Sequence, residues 1–109
     1  MPNTIKVLGQ SFPVAATATA LYPVPNNTST VVSSIVVCNQ SAVATSFTIA
    51  VRVAGAGDGS KDKLYYQTAI LGNATFVATI GITLNSTDVI YVTATLGTLS
   101  FNLFGQENT

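Results

Sequence analysis

The side chains that most often carry out acid–base and nucleophilic chemistry are scarce in this sequence. Histidine is absent from all 109 residues, which removes the commonest general base and every Ser–His or Cys–His pair. Only four carboxylates occur, and two of them, Asp58 and Asp62, lie in one glycine-rich segment. A glycosidase needs two carboxylates, but these usually come from separate elements. We therefore predict that the protein is not an enzyme.

The glycine-rich segment 55–62 has the composition of a ligand-binding loop but not its spacing. A phosphate-binding loop needs a Gly-Lys-Ser/Thr order, and an EF-hand needs regularly spaced oxygen ligands; both patterns are missing. We interpret the segment as an exposed hairpin loop and expect no cofactor and no metal. Because four of the eight charged residues lie in this segment or directly after it, we expect the loop to be solvated or to touch a polar partner. The candidate contact residues are Asp58, Lys61, Asp62, Lys63 and Tyr65.

Two adjacent tyrosines, one aspartate and the single cysteine each allow a separate prediction. Tyr65 and Tyr66 must point to opposite faces of a strand, so one should join the core and the other should be exposed. The exposed ring could stack on a sugar or on a neighbouring subunit. Asp88 follows a turn sequence and should fix that turn by a side-chain bond to the backbone. Cys38 has no cysteine partner and no basic neighbour, and is predicted to be a buried, unreactive small hydrophobe.

The elements that must position these residues are β-strands. The strand-favouring residues Thr, Val, Ile, Phe and Tyr together make up 45 of the 109 residues, and hydrophobic residues alternate with polar ones over short runs. Residues 76–84 read as one strand, in which every second residue shares a face: Phe76, Ala78, Ile80, Ile82 and Leu84. Residues 47–53 read as another, with Phe47, Ile49, Val51 and Val53 on one face. The nearly continuous apolar run at 31–38 indicates a central strand covered on both sides, and we expect the same of 89–95. The other predicted strands are 4–8, 17–22, 63–68 and 98–103.

About eight short strands separated by turn sequences indicate an all-β fold, an antiparallel β-sandwich or jelly roll. We expect residues 1–109 to form a single domain of this kind, because no linker or low-complexity segment interrupts the pattern.

The composition limits the kinds of partner. Charged residues make up 7% of the chain, against about 25% in a typical soluble domain, and the formal net charge is zero. Four scattered cations do not form the basic face that nucleic acid requires, and no apolar run is long enough to span a membrane. The first residues lack the layout of a signal peptide, so we expect synthesis in a cytoplasm. A surface so poor in charge favours association with other proteins.

Several segments resemble small virion structural proteins of tailed bacteriophages, especially those of cyanobacterial hosts. They are TIKVLGQ (4–10), LYPVP (21–25), VVSSIVVCN (31–39), LYY (64–66) and LSFNLFG (99–105). The resemblance implies a non-enzymatic component of the virion. A head decoration or cement subunit, which would bridge adjacent copies of the major capsid protein, fits the resemblance best. The resemblance also implies a homo-oligomer, a dimer or trimer. A tail, baseplate or fibre subunit is the nearest alternative, and a carbohydrate-binding module or a small enzyme would be different classes of protein.

Overall fold

Nine β-strands account for most of the protein in a computed structural model that describes residues 3–57 and 59–109. Two single-turn 3-10 helices, Val53–Gly55 and Ser60–Asp62, flank the glycine-rich loop, and neither is long enough to span a membrane. The strands are β1 (Asn3–Ser11), β2 (Thr19–Pro23), β3 (Ser29–Asn39), β4 (Thr45–Arg52), β5 (Lys63–Ile70), β6 (Thr75–Ala78), β7 (Ile82–Leu84), β8 (Val89–Ala94) and β9 (Leu99–Asn108).

The strands form two antiparallel sheets that pack face to face, so the predicted β-sandwich is confirmed. The first sheet has the order β1-β9-β3-β6, and β7 also pairs with β3; the second has the order β2-β8-β4-β5. The last strand, β9, therefore lies between β1 and β3 in the middle of the first sheet. Each sheet contributes one face to a shared core, in which seven fully buried side chains are the largest: Phe47, Phe101, Ile35, Ile49, Ile90, Leu99 and Leu103.

Alternation of side chains explains why these segments form a sandwich. In β8, and in β9 as far as Gly105, every second residue is buried, and the residues between them are only partly covered. Successive side chains of a strand point to opposite faces, so such a pattern puts one face on the core and leaves the other at the surface. Gly9 permits the two sheets to approach at one side, since a Cβ there would lie 2.4 Å from the carbonyl oxygen of Leu21.

The structure corrects three predictions about strands. Residues 76–84 form two strands instead of one, because three residues, 79–81, face only two residues of β3, so Ile80 is 37% exposed. Neither β3 nor β8 is covered on both faces: Val31 is 44% exposed, and the outward residues of β8 are half-buried. Val53 does not extend the inner face of β4, because the chain turns there into a 3-10 helix and leaves Val53 exposed.

Cys38 was also expected inside the protein, and this was wrong. Its neighbours on β3, Val37 and Asn39, are buried, so alternation places Cys38 on the outer face, where it is partly exposed.

A polar cluster closes the core beside the start of β3. The Tyr22 hydroxyl bridges the sheets by donating to Glu107 Oε2, and it lies 2.9 Å from the Thr30 hydroxyl. Lys6 Nζ donates to Glu107 Oε1 at 3.2 Å. The Tyr22 bond, followed by that from Lys6, holds the pKa of Glu107 below its ordinary value, whereas burial and then Glu107 raise the pKa of Tyr22 to about 12.

We expect this cluster to make the free energy of unfolding fall as the pH becomes acidic. Because the pKa of Glu107 is lower in the folded protein than its ordinary value of 4.5, the unfolded chain binds the proton first as the pH falls. The stabilisation is present above pH 4.5 and is lost as the pH falls through the folded-state pKa. Glu107→Gln should therefore reduce the free energy of unfolding at about pH 7, and by clearly less at about pH 3. Urea unfolding at both values measures this; an equal reduction at both would contradict it.

A second polar group, Asn39, closes the core at the other end of β3. Its amide Nδ2 donates to the carbonyl oxygens of Val43 (2.9 Å) and Leu71 (3.2 Å). Its Oδ1 accepts from the Ser41 N–H and the Thr98 hydroxyl, both at 3.1 Å. Two donors and two acceptor positions are all that a primary amide has, so Asn39 is fully satisfied although it is 1% exposed. It connects three loops to the end of the sandwich.

Candidate functional site

The residues predicted for partner contact divide between the surface and the interior. Asp58 lies outside the described residues. Lys61 is exposed, whereas Asp62 is 8% exposed and its backbone N–H closes the 3-10 turn onto the Gly59 carbonyl. Lys63 is half-buried, and its Nζ donates to the same carbonyl at 2.8 Å. Of these residues Lys61 is placed best for an external contact.

Tyr65 and Tyr66 point to opposite faces of β5, as predicted. The Tyr65 ring packs inward, with its centroid 5.2 Å from that of Phe76 and 6.5 Å from that of Phe47. Tyr66 is 65% exposed on the outer face of the second sheet. Tyr65, which was predicted to contact a partner, therefore packs against the aromatic core. Tyr66 is the tyrosine available to a partner.

A β-bulge shapes the outer face beside Tyr66. Two residues of β5, Tyr66 and Gln67, stand opposite the single residue Thr48 of β4. Gln67 has a φ of 46°, in the left-handed region that a residue with a side chain rarely adopts, and its N–H donates to Thr48 Oγ1 at 3.1 Å. Adjacent residues of a regular strand would point to opposite faces. Here the bulge leaves both Tyr66 and Gln67 exposed on one face.

These residues border a groove of about 200 Å³ on the outer face of the second sheet, which we call the tyrosine groove. Its floor is low because Ala50 lies between the long side chains of Lys63 and Tyr91 in the same row of the sheet. Tyr66 and Lys63 also border an adjoining depression of about 610 Å³ that reaches Gly59 and Ser60. The groove is lined by Ala18, Thr48, Ala50, Arg52, Lys63, Tyr66, Gln67, Tyr91 and Thr93.

One wall of the tyrosine groove is a cation–π pair. The Arg52 guanidinium carbon lies 3.8 Å from the centre of the Tyr91 ring, within the range in which such pairs are attractive. The two side chains hold each other against the sheet, so this wall has a defined shape. The opposite wall carries Tyr66 with its ring exposed.

The outer face of the first sheet is apolar near β1. Ile5 is 83% exposed and Val7 47% exposed, and both lie on the outer face of this strand. Gln106 pairs with Ile5 on one side and with Val31 on the other, and a cavity of about 290 Å³ lies between these side chains. Phe104, opposite Val7, extends the same surface. We call Ile5, Val7, Val31 and Phe104 the apolar face.

The apolar face adjoins an open sheet edge. All five residues of β1 from Asn3 to Val7 are exposed and pair regularly with β9. The other edges are protected: β5 contains two bulges, β2 has a bulge and ends in Pro23, and β6 and β7 have four and three residues. Bulges, proline and shortness all hinder the addition of a further strand. The first half of β1 is thus the least protected edge among the described strands.

The described carboxylates are spread over the protein, and two of them, Asp88 and Glu107, make hydrogen bonds that hold the fold. Asp88 accepts from the N–H of Asn85 and from that of Ala54, both at 2.9 Å, so its predicted role in a turn is confirmed. Glu107 belongs to the polar cluster with Tyr22, and Asp62 is buried. Within residues 3–57 and 59–109, no three Cys, Asp or Glu side chains come together as a metal site would need.

Comparison of the chain with protein-family models, with curated proteins and with solved structures gives no match.

Proposed function

We propose that this protein is a non-enzymatic structural subunit of a tailed-bacteriophage virion, best a capsid decoration subunit that binds the major capsid protein. Three features support the proposal: the resemblance of its segments to small virion proteins, its very low charge, and an apolar face beside an open strand edge. A tail, baseplate or fibre position is the second candidate, because the same surfaces would serve there. The open edge of β1 with the apolar face is the observation that carries the proposal.

Binding through β1 would combine two kinds of contact. A partner strand added along Asn3–Val7 would form backbone hydrogen bonds with groups that have no strand beside them. Ile5 and Val7 would then be covered by the partner, and burying one such side chain contributes about 1.5–3 kcal/mol. On a lattice each contact can be modest, because many copies act together. Particle symmetry would repeat one surface around a two-fold or three-fold axis, which makes a dimer or trimer the expected arrangement.

The first test asks whether β1 is the attachment surface. Ile5→Lys puts a charge on the exposed edge without disturbing the core, and charges on edge strands oppose strand addition. We expect it to weaken binding to particles prepared without the protein by about tenfold or more, measured by co-sedimentation. Leu71→Lys is the matched control, since Leu71 is also exposed (73%) but lies in a loop away from β1. Equal binding by both variants and the unchanged protein would contradict the assignment.

The copy number in purified virions separates the two positions. Hundreds of copies would indicate the capsid, whereas a few to some dozens would indicate the tail. A decoration subunit also predicts that particles lacking it assemble but lose DNA at a lower temperature. Absence of the protein from purified particles would disprove the virion proposal.

A further inference from the structure

We propose that the tyrosine groove binds a saccharide, with a pyranose ring stacked on Tyr66. The inference goes beyond the virion proposal and does not depend on it, because the groove lies on the second sheet and the apolar face on the first. If the first sheet is attached to a particle, the opposite sheet faces outward, where host-surface glycans would meet it.

The bulge in β5 is the first argument. A left-handed φ at a residue with a side chain costs about 1–3 kcal/mol and persists where the surrounding structure imposes it, often at binding sites. The effect of this conformation at Gln67 is to place two neighbouring side chains, an aromatic ring and an amide, on the same face. The Thr48 hydroxyl accepts the N–H that the bulge removes from the ladder. A regular strand in this position would turn one of the two side chains inward.

The chemistry of the groove is the second argument. A pyranose has a face of C–H groups and a rim of hydroxyls, so it needs an aromatic ring beneath it and both donors and acceptors around it. Tyr66 offers an exposed ring face, whose negative quadrupole attracts C–H groups. The Gln67 amide and the Thr93 hydroxyl can each donate and accept. The volume of about 200 Å³ suits one sugar ring, and the adjoining depression beyond Tyr66 gives room for the next.

A protein neighbour fits this groove less well than a saccharide. Protein interfaces have an apolar centre, and the apolar face on the first sheet, where Ile5 and Val31 line one cavity, offers such a surface. The groove instead is concave and combines the two surfaces that a sugar needs: most of its accessible surface is apolar, and hydroxyl, amide and cationic side chains are among the residues that line it. Because two cationic residues, Arg52 and Lys63, are among those that line the groove, the test includes neutral and acidic saccharides.

The experiment is a titration of the isolated protein, followed by two-dimensional amide NMR. The probes are neutral trisaccharides built from glucose, galactose or mannose, and a trisaccharide of galacturonic acid, each up to about 10 mM. We expect at least one probe to shift the amide signals of Thr48, Tyr66, Gln67 and Thr93 in a saturable way. A response to the acidic probe alone would assign the groove to acidic glycans, and a response to a neutral one to neutral glycans.

Substitutions then separate stacking from general structure. Tyr66→Ala should weaken the binding about tenfold, whereas Tyr66→Phe should keep it within about threefold, because the phenyl ring still stacks. Leu71→Ala is the control and should change nothing. Gln67→Gly relieves the left-handed backbone, so it should leave the thermal stability unchanged or higher and still weaken binding.

Three outcomes would overturn the proposal: no probe shifts these signals, the shifts lie elsewhere, or Tyr66→Ala binds as well as the unchanged protein. Loss of particle binding in Tyr66→Ala, without any saccharide response, would make the groove a protein contact instead. The virion proposal is tested by Ile5→Lys on particles, so either proposal can fail while the other stands.

Discussion

Phe47→Ala is expected to lower the free energy of unfolding by about 3–5 kcal/mol, the largest effect of any substitution considered for this protein. Phe47 is 1% exposed and belongs to the second sheet, yet its ring contacts two rings of the first sheet. The centroid of the Phe47 ring lies 5.0 Å from that of Phe76 and 6.3 Å from that of Phe101. Removing the ring therefore opens a cavity between the sheets and also breaks aromatic pairs, each worth about 0.5–1.5 kcal/mol.

Urea unfolding followed by circular dichroism measures the effect, and a fall in the melting temperature of more than about 10 °C should accompany it. Phe12→Ala is the matched control, because Phe12 has the same side chain but is 57% exposed in a segment after β1. It should cost less than about 1 kcal/mol. If the two variants lost equal stability, the core would not be centred on Phe47.

Asn39→Ala should lower the free energy of unfolding by about 3–4 kcal/mol, although Asn39 is polar and lies at the end of a strand. Its amide makes four hydrogen bonds inside the protein. Truncation would leave two carbonyl oxygens, one N–H and one hydroxyl without their partner, and each buried group left unsatisfied costs about 1–3 kcal/mol unless water replaces the bond. Because the bonds hold the 40–44 segment and Leu71 together, amide hydrogen exchange there should accelerate.

Asn102→Ala provides the comparison for Asn39. Asn102 accepts one hydrogen bond, from Gln10 on the outer surface, where water can replace it. We expect a loss below about 0.5 kcal/mol. Similar losses in the two variants would mean that water enters the Asn39 site and satisfies the groups left behind.

The fold class could be predicted from the sequence because alternation is local. Within each strand, the apolar residues at every second position indicate the buried face. The sandwich and most strand positions therefore follow from residue types alone. The division of 76–84 into β6 and β7 could not be predicted, since it depends on an unequal number of residues in β3 opposite it. The same limit applies to Cys38: an apolar run does not say which of its two faces meets the core.

The candidate surfaces depended on pairing between distant strands, which a single sequence does not reveal. The outward positions of Thr48, Ala50 and Arg52 follow from the predicted strand at 47–53. These residues lie beside Tyr91 and Tyr66 only because β4 is placed between β8 and β5 in the sheet. No residue type signals the bulge at Gln67, because glutamine is not a residue that usually adopts a left-handed φ. The open edge at β1 likewise becomes visible only when the other edges are known.

The central place of β9 in the first sheet has a consequence for how the protein is made. During synthesis β1 emerges before the other eight described strands, but its partner is β9, which is complete only when Asn108 has left the ribosome. Until then both edges of β1 are open, with Ile5 and Val7 exposed beside them. Sheets that depend on such distant pairing fold slowly and expose aggregation-prone strands for longer. We therefore expect a nascent chain to present the open edges of β1 until β9 has emerged, and its yield in a cell to depend on how quickly β9 inserts between β1 and β3.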